Sequence, residues 1–448
     1  MIKEYDLVII GAGVTGSALL YMATRYTDLK RIAIIEKYDS PARVNSLPTH
    51  NSQTLHCGDI ETNYSLAKAL EVQRAATMVR NYAVSHKDNH PIIFKYPKMV
   101  IGVGDEECDI LERRYEYFKK HYPDLRLLQK HEIAEIEPNV TKRRKGKIVA
   151  LASTDEYTAV NFEELARSFI LEAYETASDD DDREIDFFFN EQVKEVDKLY
   201  DKFVIMTNNQ YCQAKALVVC GGGHSLQMAH RMGYGLEYSL LPIAGSYYFS
   251  PNVLKGKVYT VQNEALPFAA VHGDPDLTNP DNSRFGPTAI VLPMLERYNL
   301  DTIPDFFEVI GCDGSTLKLL WNMFKVKDIR NYMFKNLLFE IPGIRRLLFL
   351  RDARKIVPTL RYRDLKFAHR IGGVRPQLVN RQEGKLLMGE AKIVTDEGCI
   401  FNVTPSPGGT SCLENAETDI RIIAKRLGAK IYEERLQKEL FDIDVEKW

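Results

Sequence analysis

Short apolar runs alternate along this chain with longer stretches in which apolar residues recur at helical spacing. Leu7-Val8-Ile9-Ile10 reads as a strand covered on both faces, and Arg31-Ile32-Ala33-Ile34-Ile35 returns as a second. A helix is predicted between them, starting near Val14. Further on, the spacing predicts a helix over 65–86, a strand over 98–104 and a charged helix over 108–121. A strand-to-helix passage then stops at Pro138, and Ala150 to Thr158 has strand and turn character. Asn161 caps an amphipathic helix to about Ala177. Short strands at 185–189, 193–199 and 203–207 lead to the buried run Ala216 to Cys220, which ends on three glycines and enters a helix near Ser225. From Leu241 to Pro293 the pattern turns to strands rich in Tyr, Phe and Val (AGSYYFS, KVYTVQ, FAAVHG, TAIVLP). Asp305 to Ile356 reads as helices. Strands and turns follow over 368–377, 385–390 and 400–404, ahead of a helix from about Cys412 to Leu427.

The link between the first two strands carries the most specific chemistry. Gly11, Gly13 and Gly16 stand in G-x-G-x-x-G spacing. Glycine serves there for a tight turn, for close backbone approach to a pyrophosphate and for helix-on-strand packing. The first amides of the following helix point at the same anionic site. Glu36 closes the second strand where a carboxylate accepts the hydroxyls of an adenosine ribose. Strand, glycines, helix, strand and acid in that order mark a dinucleotide site. Two more strand-to-helix junctions carry glycines, at Gly221, Gly222 and Gly223 and at Gly408 and Gly409. The last sits in Thr404 to Ser411, TPSPGGTS, before a helix N-terminus able to hold an oxyanion or an electron-rich ring edge. Three such junctions exceed what a nicotinamide cofactor needs and suit FAD, whose length crosses a nucleotide lobe. The chain leaves that lobe and returns to complete it.

Composition narrows the classes. At 448 residues, 45% hydrophobic and 27% charged, the chain can build two lobes with a core each. A net charge of −3 argues against a nucleic-acid binder that works by neutralising phosphate. Seven cysteines without paired spacing read as reduced thiols, and no Cys/His cluster suggests a metal. No apolar run reaches the roughly 20 residues that span a bilayer, and no export signal is expected at the N-terminus. Asp179 to Asp182 should be a flexible surface loop, and basic Lys142 to Lys147 a solvated one. His50 to Tyr64, HNSQTLHCGDIETNY, is either a flavin-lining segment or a surface loop. Phe324 to Pro358 holds nine Lys/Arg against three acids, interleaved with Phe334, Leu337, Phe339, Leu347 and Phe349. Such a segment either lies in a lipid interface or packs its apolar side inward.

NSQTLHCGDIETNY, LPFAAVHGDPDL, RFGPTA, GGVRPQ and TPSPGGTSCLENAE together resemble the FAD-dependent oxidoreductases that include D-amino-acid oxidase and glycerol-3-phosphate dehydrogenase. Within that superfamily the chain is most similar to the 2-hydroxyacid branch, above all to the malate:quinone oxidoreductases. It also resembles L-2-hydroxyglutarate dehydrogenases, so the motifs specify the branch better than the substrate. The resemblance implies an α/β fold: an FAD-binding Rossmann-like domain of glutathione-reductase type with a second α+β substrate domain. Residues 1–95, 150–235 and 357–448 are expected in the first and 96–149 and 236–356 in the second. It implies that Gly11, Gly13, Gly16 and Glu36 hold the ADP half, with Ser52, Gln53, Gly221, Gly222, Gly408, Gly409 and Thr410 along the rest of a non-covalently bound FAD. Cys412, just past the flavin motif, is read as making no covalent link. His272 matches the candidate base, His56 is a second one, and Arg284 and Arg375 would grip the substrate carboxylate. The implied activity is oxidation of (S)-malate to oxaloacetate with quinone as acceptor, by a peripheral protein on lipid at the cytoplasmic side of the inner membrane. The alternatives are L-2-hydroxyglutarate or L-lactate as substrate, or a flavin-binding protein without dehydrogenase activity.

Overall fold

The structure is a computed structural model that describes residues 2–86, 91–262, 271–311, 325, 327–383, 385–387, 391–405 and 407–443. Parts of three expected segments, at 268–270, 312–324 with 326, and 388–390, therefore lie outside the described residues.

Lys3–Ile10 runs parallel between Tyr211–Val219 and Arg31–Ile35. Glu184–Phe188 extends this sheet parallel to Arg31–Ile35, and Cys399–Val403 extends it parallel to Tyr211–Val219. Ala391–Val394 forms an antiparallel edge, and the hairpin Val193–Leu199 with Lys202–Thr207 joins the start of Tyr211–Val219. Side chains alternate across a strand, so the unbroken apolar runs feed two cores. Leu7, Ile9, Ile32 and Ile34 pack with the helices Val14–Tyr26, Phe162–Ser178 and Cys412–Leu427. Val8, Ile10, Ala33 and Ile35 face Leu226, Leu240 and Phe306 on the other side.

A second sheet carries, in order, Lys366–Phe367, Tyr248–Pro251, Asn279–Gly286, His272–Asp276, Lys257–Thr260, Lys98–Val103, Ile148–Ser153 and Arg126–Gln129. Among the described residues of this sheet, only Lys257–Thr260 and Lys98–Val103 pair in parallel. The helix Arg345–Ile356 covers one face, where Phe349 stacks on Tyr248 with ring centroids 4.0 Å apart. A smaller antiparallel sheet, built on Tyr238–Ala244 and Val374–Asn380, stands between the other two along the chain.

Local chemistry explains the element ends. Ser65 caps Leu66–Ser85 by accepting from the Lys68 amide, and Asn161 caps Phe162–Ser178 by accepting from Glu163 and Glu164. Pro138 ends Lys130–Ile136 and begins the short helix Pro138–Thr141, where its missing N–H is no loss. The basic loop 142–147 is solvated except at Arg144. That guanidinium is buried and donates to the carbonyls of Val140, Lys355 and Ile356, closing the end of Arg345–Ile356. Glu433–Leu440 is a helix that the pattern did not predict; Arg25 Nη2 ties it down at Glu439 Oε1, 2.8 Å away.

Candidate active site

The strands of the first sheet release the chain at one edge. Gly11 follows Ile10, Glu36 follows Ile35, Cys220 follows Val219 and Thr404 follows Val403, and all four line one cleft of about 510 Å³. Carboxyl ends of parallel strands are where open α/β sheets take ligands. Gly11 has φ +99°, and a Cβ on it would stand 2.6 Å from the Cys220 carbonyl oxygen. A Cβ on Gly16 would stand 1.9 Å from the Gly11 carbonyl oxygen. Gly16 thus serves the helix-on-strand crossing and lies beneath the cleft, which Gly11 and Gly13 line.

Glu36 accepts from the Ala12 amide at 2.8 Å and the Tyr38 amide at 3.0 Å, which fixes its carboxylate at the cleft edge. Burial pushes its pKa above the usual carboxylate range, against the pull of those two amides. Gln192, Val193 and Lys194 line the same end, with Gly221, Gly222 and Gly223 further along. Ser46 Oγ accepts from the Val14 amide at 3.0 Å, and Asn45 bonds both the N–H and the carbonyl of Val374. This elongated path of glycines and backbone donors, ended by a fixed acid, fits the expected dinucleotide.

The other end gathers Ser52, His50, His56, Tyr247, Arg375, Gly408, Gly409 and Thr410. A Cβ at Gly409 would meet the Phe162 ring at 2.7 Å, so only glycine lets the turn pack there. The His56 amide donates to Thr410 Oγ1 at 3.1 Å, joining two segments far apart in sequence. His56 Nδ1 lies 2.9 Å from Glu61 Oε1. Burial opposes ionisation of Glu61, but the bond from His56 and the charge of Lys98 bring its pKa below the usual value. The His50 ring gives Nδ1 to the Val44 carbonyl at 2.8 Å, and burial lowers its pKa. Arg375 projects from Val374–Asn380 into the cleft. Among the described residues no ion pair takes its guanidinium.

Three expected site residues lie elsewhere. Gln53, fully buried at φ +51°, turns back to the Pro48 carbonyl and Asp276 Oδ1. His272 is 2% exposed; its ring stacks on Tyr259 and its Nε2 is 3.8 Å from Asp274 Oδ2. Arg284 is equally buried, with Nε 3.3 Å from Asp274 Oδ1 and its guanidinium near the Tyr247 ring. Arg284 stands behind the wall that Ser52 and Tyr247 present, and His272 lies beside Asp274 and Tyr259. Cys412 is fully buried in its helix. Sequence reading missed Glu61, Asn45, Ser46 and Tyr247. The proximity of Glu61 to His56 was visible, but their pairing depends on a loop whose path no periodicity records.

The family model for malate:quinone oxidoreductase (Mqo) matches residues 3–444. A probable malate:quinone oxidoreductase of Campylobacter jejuni is 45% identical over 98% of this chain and 99% of its own length. The malate:quinone oxidoreductase of Helicobacter pylori strain J99 is 42% identical over the whole of both chains. Among solved structures, an L-alpha-glycerophosphate oxidase from Mycoplasma pneumoniae, described with FAD bound, superposes with a TM-score of 0.62 at 18% identity, covering 94% of this chain and 95% of its own. The shared fold is that of FAD-dependent oxidoreductases.

Proposed function

Because the chain belongs to the malate:quinone oxidoreductase family, we infer that its cleft is where (S)-malate is oxidised to oxaloacetate for transfer of electrons to quinone. The observation that carries this reading is continuity: one concave surface joins Gly11 and Glu36 to His56 and Arg375. Malate gives up two electrons and two protons, and quinone ends as quinol. FAD, the cofactor of this enzyme, supplies the two-electron chemistry between them. Gly11, Gly13, Glu36, Gly221, Gly222, Gly408, Gly409 and Thr410 line its path, and Gly16 packs beneath it.

The chain's own residues then have three tasks. Arg375 offers a planar pair of N–H donors to a carboxylate of the acid. His56 takes the hydroxyl proton at Nε2, because its Nδ1 is committed to Glu61. Glu61 holds the ring in that tautomer and orientation, as the carboxylate of a hydrolytic triad does. Arg284 supports the wall and His272 lies beside Asp274, and neither touches the acid.

A peripheral seat on lipid, on the cytoplasmic side of the inner membrane, completes the reading, since quinone resides in the bilayer. No helix among the described residues is long and apolar enough to cross a membrane. Support for a surface seat comes from exposed Phe334, Leu337, Ile341, Ile344 and Leu347, which neighbour Lys335, Arg345, Arg346 and Arg351 in sequence.

The substrate is tested by comparing kcat/KM for (S)-malate, L-2-hydroxyglutarate and L-lactate with a quinone acceptor. Malate is expected to lead. A lead for L-2-hydroxyglutarate or L-lactate would move the enzyme to the sibling activity of the same branch, and turnover of none would leave only flavin binding.

A further inference from the structure

Behind the cleft wall lies a cluster of buried charges that the mechanism above does not use. Asp274, fully buried, stands 3.0 Å from Lys257 Nζ and 3.3 Å from Arg284 Nε. Both cations also reach the segment that lines the cleft. Lys257 Nζ and Arg284 Nη2 each donate to the Ser52 carbonyl at 3.2 Å, and Arg284 Nη1 donates to the Asn51 carbonyl at 3.2 Å. In a planar trans peptide the C=O and N–H point in opposite directions. Drawing the Asn51 carbonyl toward the cluster therefore turns the Ser52 amide the other way, toward the cleft that Asn51 and Ser52 line. Among the described residues no acceptor takes that amide.

We propose that Lys257, Asp274 and Arg284 are positioning residues that aim the Ser52 amide at the flavin while the two cations offset the buried carboxylates behind it, so that the reduced, electron-rich ring is favoured. This rests on the reading of the cleft as an FAD site. The carboxylate is the hub: it keeps two cations buried together, and they in turn hold two adjacent carbonyls. Asp276, held by Gln53 and Thr278, adds a second buried carboxylate that acts on Arg284, so two cations offset two carboxylates here, while Lys98 is paired with Asp59. A hydrogen-bond donor at a site that gains electrons raises its reduction potential, and cations that cancel nearby carboxylates keep that potential from falling.

The test is the midpoint potential of FAD in the purified holoenzyme, titrated without substrate, for wild type and Lys257→Met. Asp274 keeps Arg284 in that variant, so the fold is expected to hold. The potential should fall by about 30 mV or more, a tenfold loss in the preference for reduced over oxidised flavin at two electrons. Affinity for oxidised FAD should stay within about twofold. A wild-type potential in a variant that retains FAD overturns the proposal, whatever happens to its melting temperature. If Lys257→Met loses FAD, the neutral pair Lys257→Met with Asp274→Asn is measured instead; a lowered potential supports the assignment and an unchanged one refutes it. Failure of wild type to bind FAD would instead strike the reading of the cleft itself.

Discussion

Glu137 shows how much one buried carboxyl can matter in this protein. Its Oε1 accepts from the Lys255 and Gly256 amides at 2.9 and 2.6 Å, holding the turn that leads into Lys257–Thr260. Burial outweighs those bonds and pushes its pKa up to about 7. The folded state therefore binds a proton that the unfolded chain has lost above about pH 4.5, and stability falls as pH rises through that window to about 7. Glu137→Gln is expected to match wild type near pH 4.5 and to be more stable at pH 8, by at most ~4 kcal/mol at about 1.4 kcal/mol per pH unit. Parallel urea unfolding at the two pH values checks this; equal stability at pH 8 would contradict it. Residues of the site differed in how legible they were. Gly11, Gly13 and Glu36 could be found because the spacing itself dictates their backbone roles. Gln53 and Arg284 could not be placed, since a positive φ at one and the burial of Asp274 beside the other arise from packing distant in sequence.

Among the elements, Arg345–Ile356 serves two surfaces. Phe349, Leu350, Ala353 and Ile356 fill the core of the second sheet, while Leu347 points outward at 61% exposure. Lys327–Leu338 carries Phe334 at 62% exposure, and Lys335 of that helix pairs with Asp352 of the next at 2.6 Å. The pair thus acts as one unit with an apolar, basic outer side. Phe334→Glu with Leu347→Glu should leave the fold intact and weaken sedimentation with anionic vesicles roughly tenfold or more, at about 1.5–3 kcal/mol for each side chain seated in lipid. Unaltered partition would assign this face to other packing. Helices and strands with strong periodicity were readable from the chain, as Cys412–Leu427 illustrates. Glu433–Leu440 was not, because its only buried residues are Leu436 and Leu440 and tertiary ion pairs hold the rest.

At the scale of the molecule, the parallel strands bring four chain segments to one edge, and the small sheet adds Arg375 from the far end of the sequence. The long separation of these segments explains why the parts of the cleft were readable and their assembly was not. Order along the chain singled out Gly408 and Gly409 as a glycine-marked turn before a helix, but only the fold sets His56 against Thr410 and buries His272 beside Asp274. In the proposed reaction this cleft oxidises malate with His56 and Arg375 at the reacting end. Its most direct test is anaerobic rapid mixing of the FAD-loaded protein with (S)-malate, following loss of the oxidised flavin spectrum. Wild type should bleach, His56→Ala should bleach about 10²–10⁴-fold more slowly, Arg375→Met should need far more malate, and His272→Ala should be affected less than His56→Ala. Bleaching at the wild-type rate in His56→Ala, with His272→Ala inert, would take the base role from His56 and give it to His272.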